Sequence, residues 1–412
     1  MASTAEIIAI GSELLTPHRV DSNSLYLTKQ LNSIGIEVGV KVVAGDDEGC
    51  LEQVVRVAIG RSSLVIATGG LGPTEDDITK KVFARVLHRQ MVLEEQILKD
   101  IKSRFLSRGL DMPANNARQA LVPVGAQVLE NPTGTAPGLW IEEGDCVVIL
   151  LPGVPSEMKT IFETSCLSVL KQRSGNSRMF AKVLKTTGMA ESQLDEKIAP
   201  IYTEYRNPVT TILASQGEVQ IHLTGRGKTE REAEILVNEL SDKMELVLGE
   251  YIFSRGTESL EQIVGYYLLM RQKTLSIAES CTGGLISERM TRVPGSSEYF
   301  LCGVTCYSNQ SKINLAEIPP LVIEMNGAVS SEVAKSLAEG IREKTGSNLG
   351  LGITGIAGPS GGSPEKPVGL VYIALATEAT VACQKFQFGG DRERVRFWAS
   401  QTALDMVRRS LI

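Results

Sequence analysis

A serine stands where an apolar strand runs out, in Ser276-Ile-Ala-Glu-Ser-Cys-Thr-Gly-Gly284. A helix over Leu285 to Arg292 follows. Strand, tight turn and helix expose a nucleophile at a strand end and aim helix amides at its substrate. The chain has three histidines, His18, His88 and His222, none of them beyond residue 222. A nucleophilic Ser280 served by its own region therefore needs another base, and Ser–Lys pairs are an established variant of triad chemistry. Lys312 in Tyr307-Ser-Asn-Gln-Ser-Lys312 is the candidate. Lysine accepts a proton only when neutral, which requires burial or a neighbouring cation. Tyr307 relays the proton or holds the lysine. The amides of Thr282 and Gly283 suit an oxyanion hole. Arg392, Arg394 and Arg396 offer guanidinium groups to a phosphate. Thr354, Gly355 and Gly358, in Thr354-Gly-Ile-Ala-Gly-Pro359, bring a small-residue loop to the same strand ends. These parts fit an amide hydrolase for a phosphorylated small molecule.

Taken singly, each residue has a plainer reading. Ser280 is a helix N-cap, Cys281 a small packing residue, Tyr307 half-buried core and Lys312 a solvated helix residue. Arginines on a terminal helix usually form surface pairs of little value. The argument rests on their combination.

A second set lies near the start of the chain. Gly11-Ser-Glu-Leu-Leu15 ends a first strand, and Thr68-Gly-Gly-Leu-Gly-Pro-Thr-Glu-Asp-Asp77 ends a third. Asn131-Pro-Thr-Gly-Thr-Ala-Pro-Gly138 and Leu151-Pro-Gly-Val-Pro-Ser-Glu157 follow. Small residues let the backbone approach a ligand, and successive amides bind anions. The candidate nucleotide-binding positions are Gly11, Glu13, Thr68, Gly69, Gly70, Gly72, Pro73, Thr133, Gly134, Pro152 and Gly153. Carboxylates at Glu75, Asp76 and Asp77 suit a hard divalent cation bridging phosphates. The plain alternative is a tight turn whose acids begin a helix.

The elements that must position these residues follow from periodicity. Strands over Glu6–Ile10, Val38–Val43 and Leu64–Thr68 alternate with helices over Asn23–Ile34, Leu51–Ile59 and Ile78–Leu87. The pattern predicts an α/β fold with a mostly parallel sheet, covered on both faces, and ligands beyond the strand C-termini. A helix at 94–109, strands Leu139–Glu142 and Cys146–Leu151, and a helix from Pro155 to Leu170 complete the region. Residues 178–250 change to a small α+β module. A linker near Phe253–Thr257 leads to helix Glu258–Arg271, and a helix over Glu393–Leu411 closes the chain. The expected division is 1–172, 173–252 and 253–412.

Composition bounds the rest. A chain of 412 residues exceeds one ordinary core. Its hydrophobic content of 42% and charged content of 22% are globular values. A net charge of −6 argues against a general nucleic-acid binder. No apolar run reaches membrane-spanning length, and Met1–Ile10 lacks a signal-peptide pattern, so a cytoplasmic protein is expected. Seven scattered cysteines without Cys-x-x-Cys suit reduced thiols.

From Glu279-Ser-Cys-Thr-Gly-Gly284 through Val293-Pro-Gly-Ser-Ser297, Tyr307-Ser-Asn309, Lys312, Gly327-Ala-Val-Ser330, Thr354-Gly-Ile-Ala-Gly-Pro359, Pro364-Glu-Lys-Pro-Val-Gly369 and Gly390-Asp-Arg392, residues 258–411 closely resemble the CinA C-terminal domain. The resemblance implies hydrolysis of nicotinamide mononucleotide to nicotinate mononucleotide and ammonia. Ser280 would be the nucleophile, Tyr307 and Lys312 would complete the catalytic set, and no metal is required. Residues 5–170 resemble the molybdopterin-binding fold of MoaB- and MogA-like proteins, as found in full-length CinA, and 178–250 its KH-like middle domain. That half of the family is associated with a metal-dependent (Mg, Mn or Co) ADP-ribose pyrophosphatase activity. By resemblance Asp77 takes the place of the acidic residue closing the Gly-Gly loop, with Glu13 and Asp46 weaker candidates. Serine at 12 and aspartate at 21 depart from the family pattern. The family also points to a homodimer. The KH-like module lacks the Gly-x-x-Gly clamp of RNA-binding KH domains, since Gly188-Met-Ala-Glu191 has no second glycine. Two rivals remain: a pterin-binding or nucleotidyl-transfer N-terminal half, and a non-catalytic competence or DNA-damage adaptor.

Overall fold

A computed structural model describes residues 4–107, 109–174, 178–215 and 217–412. The chain forms two compact units, one running to Phe180 and including Arg226–Ile235, the other comprising Ala181–Gly225 and Leu236–Ile412.

The first unit is built on a six-stranded sheet in the order Glu37–Ala44, Thr4–Ile10, Leu64–Thr68, Cys146–Leu151, Gly138–Glu143, Gln127–Leu129. The first four strands are parallel neighbours; the last two pair antiparallel. Side chains alternate between two cores, as a sheet covered on both faces requires. Ile8, Ile10, Val65, Ala67, Val148 and Leu150 pack with helices Glu48–Arg61 and Thr79–Val86. Ile7, Leu64, Ile66, Ile149 and Leu151 pack on the other side with Leu27 and Leu31 of helix Ser22–Ser33. Leu25 of that helix is 58% exposed, because a position two residues from Leu27 lies across the helix. The helix expected from Pro155 to Leu170 exists but passes through one wide π turn at Phe162–Cys166.

The middle module, most of it in the second unit, is a four-stranded sheet in the order Val209–Ser215, Glu218–Gly227, Arg178–Thr186, Ile252–Ser254. Helices Glu191–Tyr202 and Glu230–Leu248 accompany it. Val219, Ile221 and Leu223 alternate inward along one strand, the mark of a sheet with one buried face. The expected linker at Phe253–Thr257 is corrected here. Ile252–Ser254 is a buried strand pairing antiparallel with Arg178–Thr186, so three apolar-flanked residues complete the sheet instead of spacing two domains.

The remainder folds on a five-stranded sheet in the order Phe300–Thr305, Leu275–Glu279, Leu349–Gly355, Leu370–Ala376, Val381–Gln387. The first three strands are parallel; the last two add antiparallel. Ile277, Leu351 and Ile373 face helices Leu260–Met270, Leu285–Thr291 and Arg392–Leu411. Ala278 faces the opposite side with Val333, Leu337 and Ile341 of helix Ser331–Thr345. Against that helix lies a strip of backbone. Added Cβ atoms at Gly350 and Gly352 would stand 2.1 and 2.3 Å from the Ala338 and Ala334 carbonyl oxygens. Glycine there sets the close helix–sheet approach.

Candidate active site

The parallel strands Phe300–Thr305, Leu275–Glu279 and Leu349–Gly355 all end at one edge. The chain leaves the central strand toward one neighbour and later returns to the other, so the crevice above these ends is a topological switch point. A cavity of about 250 Å³ lies there, and Ser280, Tyr307, Lys312, Thr354, Gly355, Gly358 and Arg392 all line it. Strand alternation sorts two neighbours. Glu279 turns to the side of helix Leu285–Thr291 and is fully buried, whereas Ser280, 7% exposed, faces the cavity.

Lys312 sits in the first turns of helix Asn309–Ala316, which Ser308 caps by accepting from Ser311 N. It is 1% exposed. Its Nζ donates to the Tyr307 carbonyl oxygen at 3.2 Å, a neutral acceptor. Burial pulls its pKa below that of an ordinary lysine, and the nearby Cys306 and Cys281 thiols oppose this only in part. A buried lysine held by a neutral carbonyl has its charged form disfavoured. Cys281 is pushed up to about 12 by burial, so its thiol stays protonated. It lines the cavity without being a nucleophile at neutral pH.

Tyr307 is 60% exposed, and its hydroxyl accepts from Arg392 Nη2 at 2.8 Å. Arg392 Nη1 donates to the Gly358 carbonyl oxygen at 2.8 Å. Arg392 thus joins the tyrosine to the glycine loop at the mouth of the cavity. Thr354 Oγ1 donates to the Ala328 carbonyl oxygen at 2.8 Å, fixing the opposite wall.

Four expected substrate-binding residues take other places. Gly283 N donates to the Ser280 carbonyl oxygen at 3.1 Å, and Gly284 N to Glu279 Oε2 at 3.1 Å. The expected use of the Gly283 amide in an oxyanion hole is corrected, because the turn itself consumes that donor. Thr282 is fully buried. Arg396, expected at a phosphate, gives Nε and Nη2 to the Thr282 carbonyl oxygen at 3.0 and 2.7 Å. Arg394 does not line this cavity. Sequence reasoning passed over Asn309, Val329 and Ser360, which do line it. The Tyr-Ser-Asn motif was the available signal for Asn309.

The other unit repeats the geometry. Strand Thr4–Ile10 is flanked by Glu37–Ala44 and Leu64–Thr68, and a cavity of about 530 Å³ lies beyond the strand ends. Glu13, Thr68, Gly70, Gly72, Pro73, Asp77, Pro152 and Gly153, eight of the expected residues, line it together. Gly69 shapes it from behind. With φ at +111°, a Cβ there would meet the Ile10 carbonyl oxygen at 2.0 Å. Gly11 likewise stands behind Glu13, whose carboxylate a Cβ would strike at 2.5 Å. Thr133 and Gly134 instead give their amides to Asn131 Oδ1 at 3.1 and 2.8 Å, and their neighbours Thr135 and Ala136 line the cavity. Arg19, Asn23, Gln119 and Glu157 also line it and went unread; Asp21, which the sequence marked only as a departure from the family pattern, lines it as well. Asn23 donates to Thr68 Oγ1 and the Gly153 carbonyl oxygen, both at 2.9 Å, while its own Oδ1 is buried without a partner. Only the helical pattern around Asn23 was legible in sequence.

The donors for a cation are sparse. Asp77 Oδ1 accepts from Gly72 N at 2.7 Å, and its Oδ2 accepts from Thr74 N at 2.8 Å and from the Thr74 hydroxyl, so it closes the loop. Asp76 is exposed and outside the cavity lining; hydrogen bonds from Thr74 and its own amide hold its carboxyl below the usual range. Asp46 accepts from Ser12 N at 2.7 Å, tying serine 12 into the strand end. Among the described residues no group of three or more His, Cys, Asp or Glu could hold a metal ion.

Comparison with known proteins gives three matches in chain order. The model of a probable molybdopterin binding domain matches residues 6–172, that of the damage-inducible protein CinA KH domain 181–254, and that of the CinA C-terminal domain 257–411. A CinA-like protein of Koribacter versatilis is 51% identical over 99% of this chain and 100% of its own length. The chain belongs to the CinA family. A second CinA-like protein, from Solibacter usitatus, is 47% identical over 99% of this chain and 98% of its own length. A solved CinA structure from Thermoplasma acidophilum is 33% identical, covering 42% of this chain and 98% of that one, with a TM-score of 0.38. CinA membership accords with both sheets and with the middle module. Among the described residues of this CinA chain no helix is long and apolar enough to cross a membrane.

Proposed function

We propose that the C-terminal domain is a serine amidohydrolase that converts nicotinamide mononucleotide and water to nicotinate mononucleotide and ammonia. The observation that carries this reading is Lys312, buried to 1% exposure beside Ser280, without a carboxylate partner, its pKa pulled down by burial. In the proposed reaction Lys312 Nζ takes the proton of Ser280 Oγ as the oxygen attacks the carboxamide carbon. The same proton then leaves with ammonia. The resulting ester is hydrolysed by water, again with Lys312 as base, and Ser280 is regenerated. Lys312 bonds a carbonyl in the free protein, and catalytic hydrogen bonds commonly tighten only with substrate. Arg392, at the mouth, is suited to the substrate's phosphate.

The test is ammonia release from nicotinamide mononucleotide with EDTA present, for wild type and Ser280→Ala. Release by wild type, and loss in the variant of about 10³-fold or more, is expected. A folded wild type that releases none removes the reading and leaves the adaptor function in its place.

A second reading concerns the other cavity. Four carboxylates (Glu13, Asp21, Asp77, Glu157) and a single guanidinium (Arg19) line it. A diphosphate entering that field needs a cation with it. The unpartnered, buried Asn23 Oδ1 also points to a missing polar partner. Both features favour hydrolysis of ADP-ribose by water to AMP and ribose 5-phosphate, for which a divalent cation would neutralise the charge of the diphosphate. The chain's part is to bind and orient through the Thr68–Pro73 loop and Gly153. Direct binding of ADP-ribose against a pterin decides between this and a pterin-binding role.

A further inference from the structure

Resting on the amidase reading, we propose that Glu279 and Arg396 are positioning residues that hold the nucleophile turn from opposite sides, and that Arg396 does not grip substrate. The turn needs holding. Gly283 and Gly284 adopt φ of +62° and +91°, a left-handed pair that no side chain rigidifies. Glu279 takes one side. Its Oε2 accepts from Gly284 N at 3.1 Å and Ile286 N at 3.0 Å; its Oε1 accepts from Ser287 N at 2.8 Å and Ser287 Oγ at 2.7 Å. Three of these four partners are backbone amides that can only donate, so the buried site favours a carboxylate; only the Ser287 hydroxyl could accept from an amide NH2. Arg396 takes the other side. Two of its nitrogens converge on the Thr282 carbonyl oxygen, and Nη2 lies 3.4 Å from where a Gly283 Cβ would stand. Peptide planes on both sides of Gly283 are thereby fixed, and Ser280 Oγ is held toward the cavity that Lys312 lines. Arg396 lies outside that lining, whereas Arg392 of the same helix is part of it. A division of labour follows: Arg392 meets substrate, and Arg396 meets the turn.

The experiment measures kcat and KM of the full chain on nicotinamide mononucleotide and on nicotinamide riboside, which lacks the phosphate. Misplacement of about 1 Å costs on the order of 10²-fold in rate. Arg396→Ala is therefore expected to lower kcat about 10²-fold, on both substrates alike, with KM for the nucleotide within about twofold. Arg396→Lys should recover part of the loss, since an ammonium still donates to the carbonyl. A raised KM for the nucleotide with kcat held, and an unaltered riboside reaction, would make Arg396 a phosphate ligand and overturn the proposal. Glu279→Gln, checked for folding by circular dichroism, should lose kcat in the same way; unchanged kcat counts against the clamp. If wild type turns over neither substrate, the amidase reading fails by itself. The clamp is then read from the labelling rate of Ser280 by a fluorophosphonate. Slower labelling in Arg396→Ala sustains it and an equal rate sinks it.

Discussion

Lys312 is a cation where a cation is costly. Its folded pKa lies below that of an unfolded lysine because burial penalises the charged form. Between the two values the unfolded chain binds the extra proton, so stability rises with pH across that window. Activity needs the neutral amine, so it rises with pH on the same limb. Lys312→Met removes both the base and the buried charge. Ammonia release is expected to fall about 10²- to 10⁴-fold, while the Tm near neutral pH rises. Thermal melts and a pH–rate profile check this together; a lower Tm with a flat profile would refute it. The serine, tyrosine and lysine of the site were legible in sequence because their motifs are long and ordered. The fate of Arg396 was not. Three arginines on one helix look alike in sequence, and only the position of Thr282 across from one of them decides which meets backbone.

At the scale of elements, both sheets solve the same problem. Each sends its chain from a central strand first to one neighbour and then to the other, and each places its cavity where those paths part. Alternation of βα units made the parallel sheets and their ligand edge readable. The switch point itself depends on strand order, which periodicity does not encode. Helix–strand distance is another matter of element packing. Gly352 faces the backbone of helix Ser331–Thr345 at Ala334 and at the Ala338 amide. Gly352→Ala is expected to destabilise the fold by about 1–3 kcal/mol through overpacking, measured by urea unfolding. A smaller change would mean that the helix can lift off the sheet at little cost. The strand Ile252–Ser254 shows the limit of local reading. Three residues before a Gly-Thr turn carry too little pattern to separate a strand from a linker, and pairing with Arg178–Thr186 settles it.

For the whole molecule, the two proposed activities differ in what they need. The proposed amidase would use side chains alone, and the proposed ADP-ribose reaction would need a cation, for which the described residues offer no group of three or more His, Cys, Asp or Glu. EDTA is therefore expected to leave ammonia release within about twofold, while suppressing AMP formation by on the order of 10²-fold or more. Assays of one preparation on both substrates test this. Loss of both activities would place a metal in the amidase as well. The sequence by itself determined the family, the order of its three parts and the residue types at each strand end, because these follow from motif order and from periods of 2 and 3.6 along the chain. Tertiary structure alone decided which donors remain free for a ligand. Asp77, Glu279 and Arg396 are charged groups beside a glycine-rich turn, and in sequence Asp77 and Arg396 read as ligand contacts while Glu279 is only one letter of a motif. In the fold Asp77 and Glu279 accept from backbone amides of the turns they adjoin, and Arg396 donates to the backbone of the Thr282 turn across from its helix, because a tight turn at a buried strand end must satisfy its amides and carbonyls before it can offer anything to a substrate.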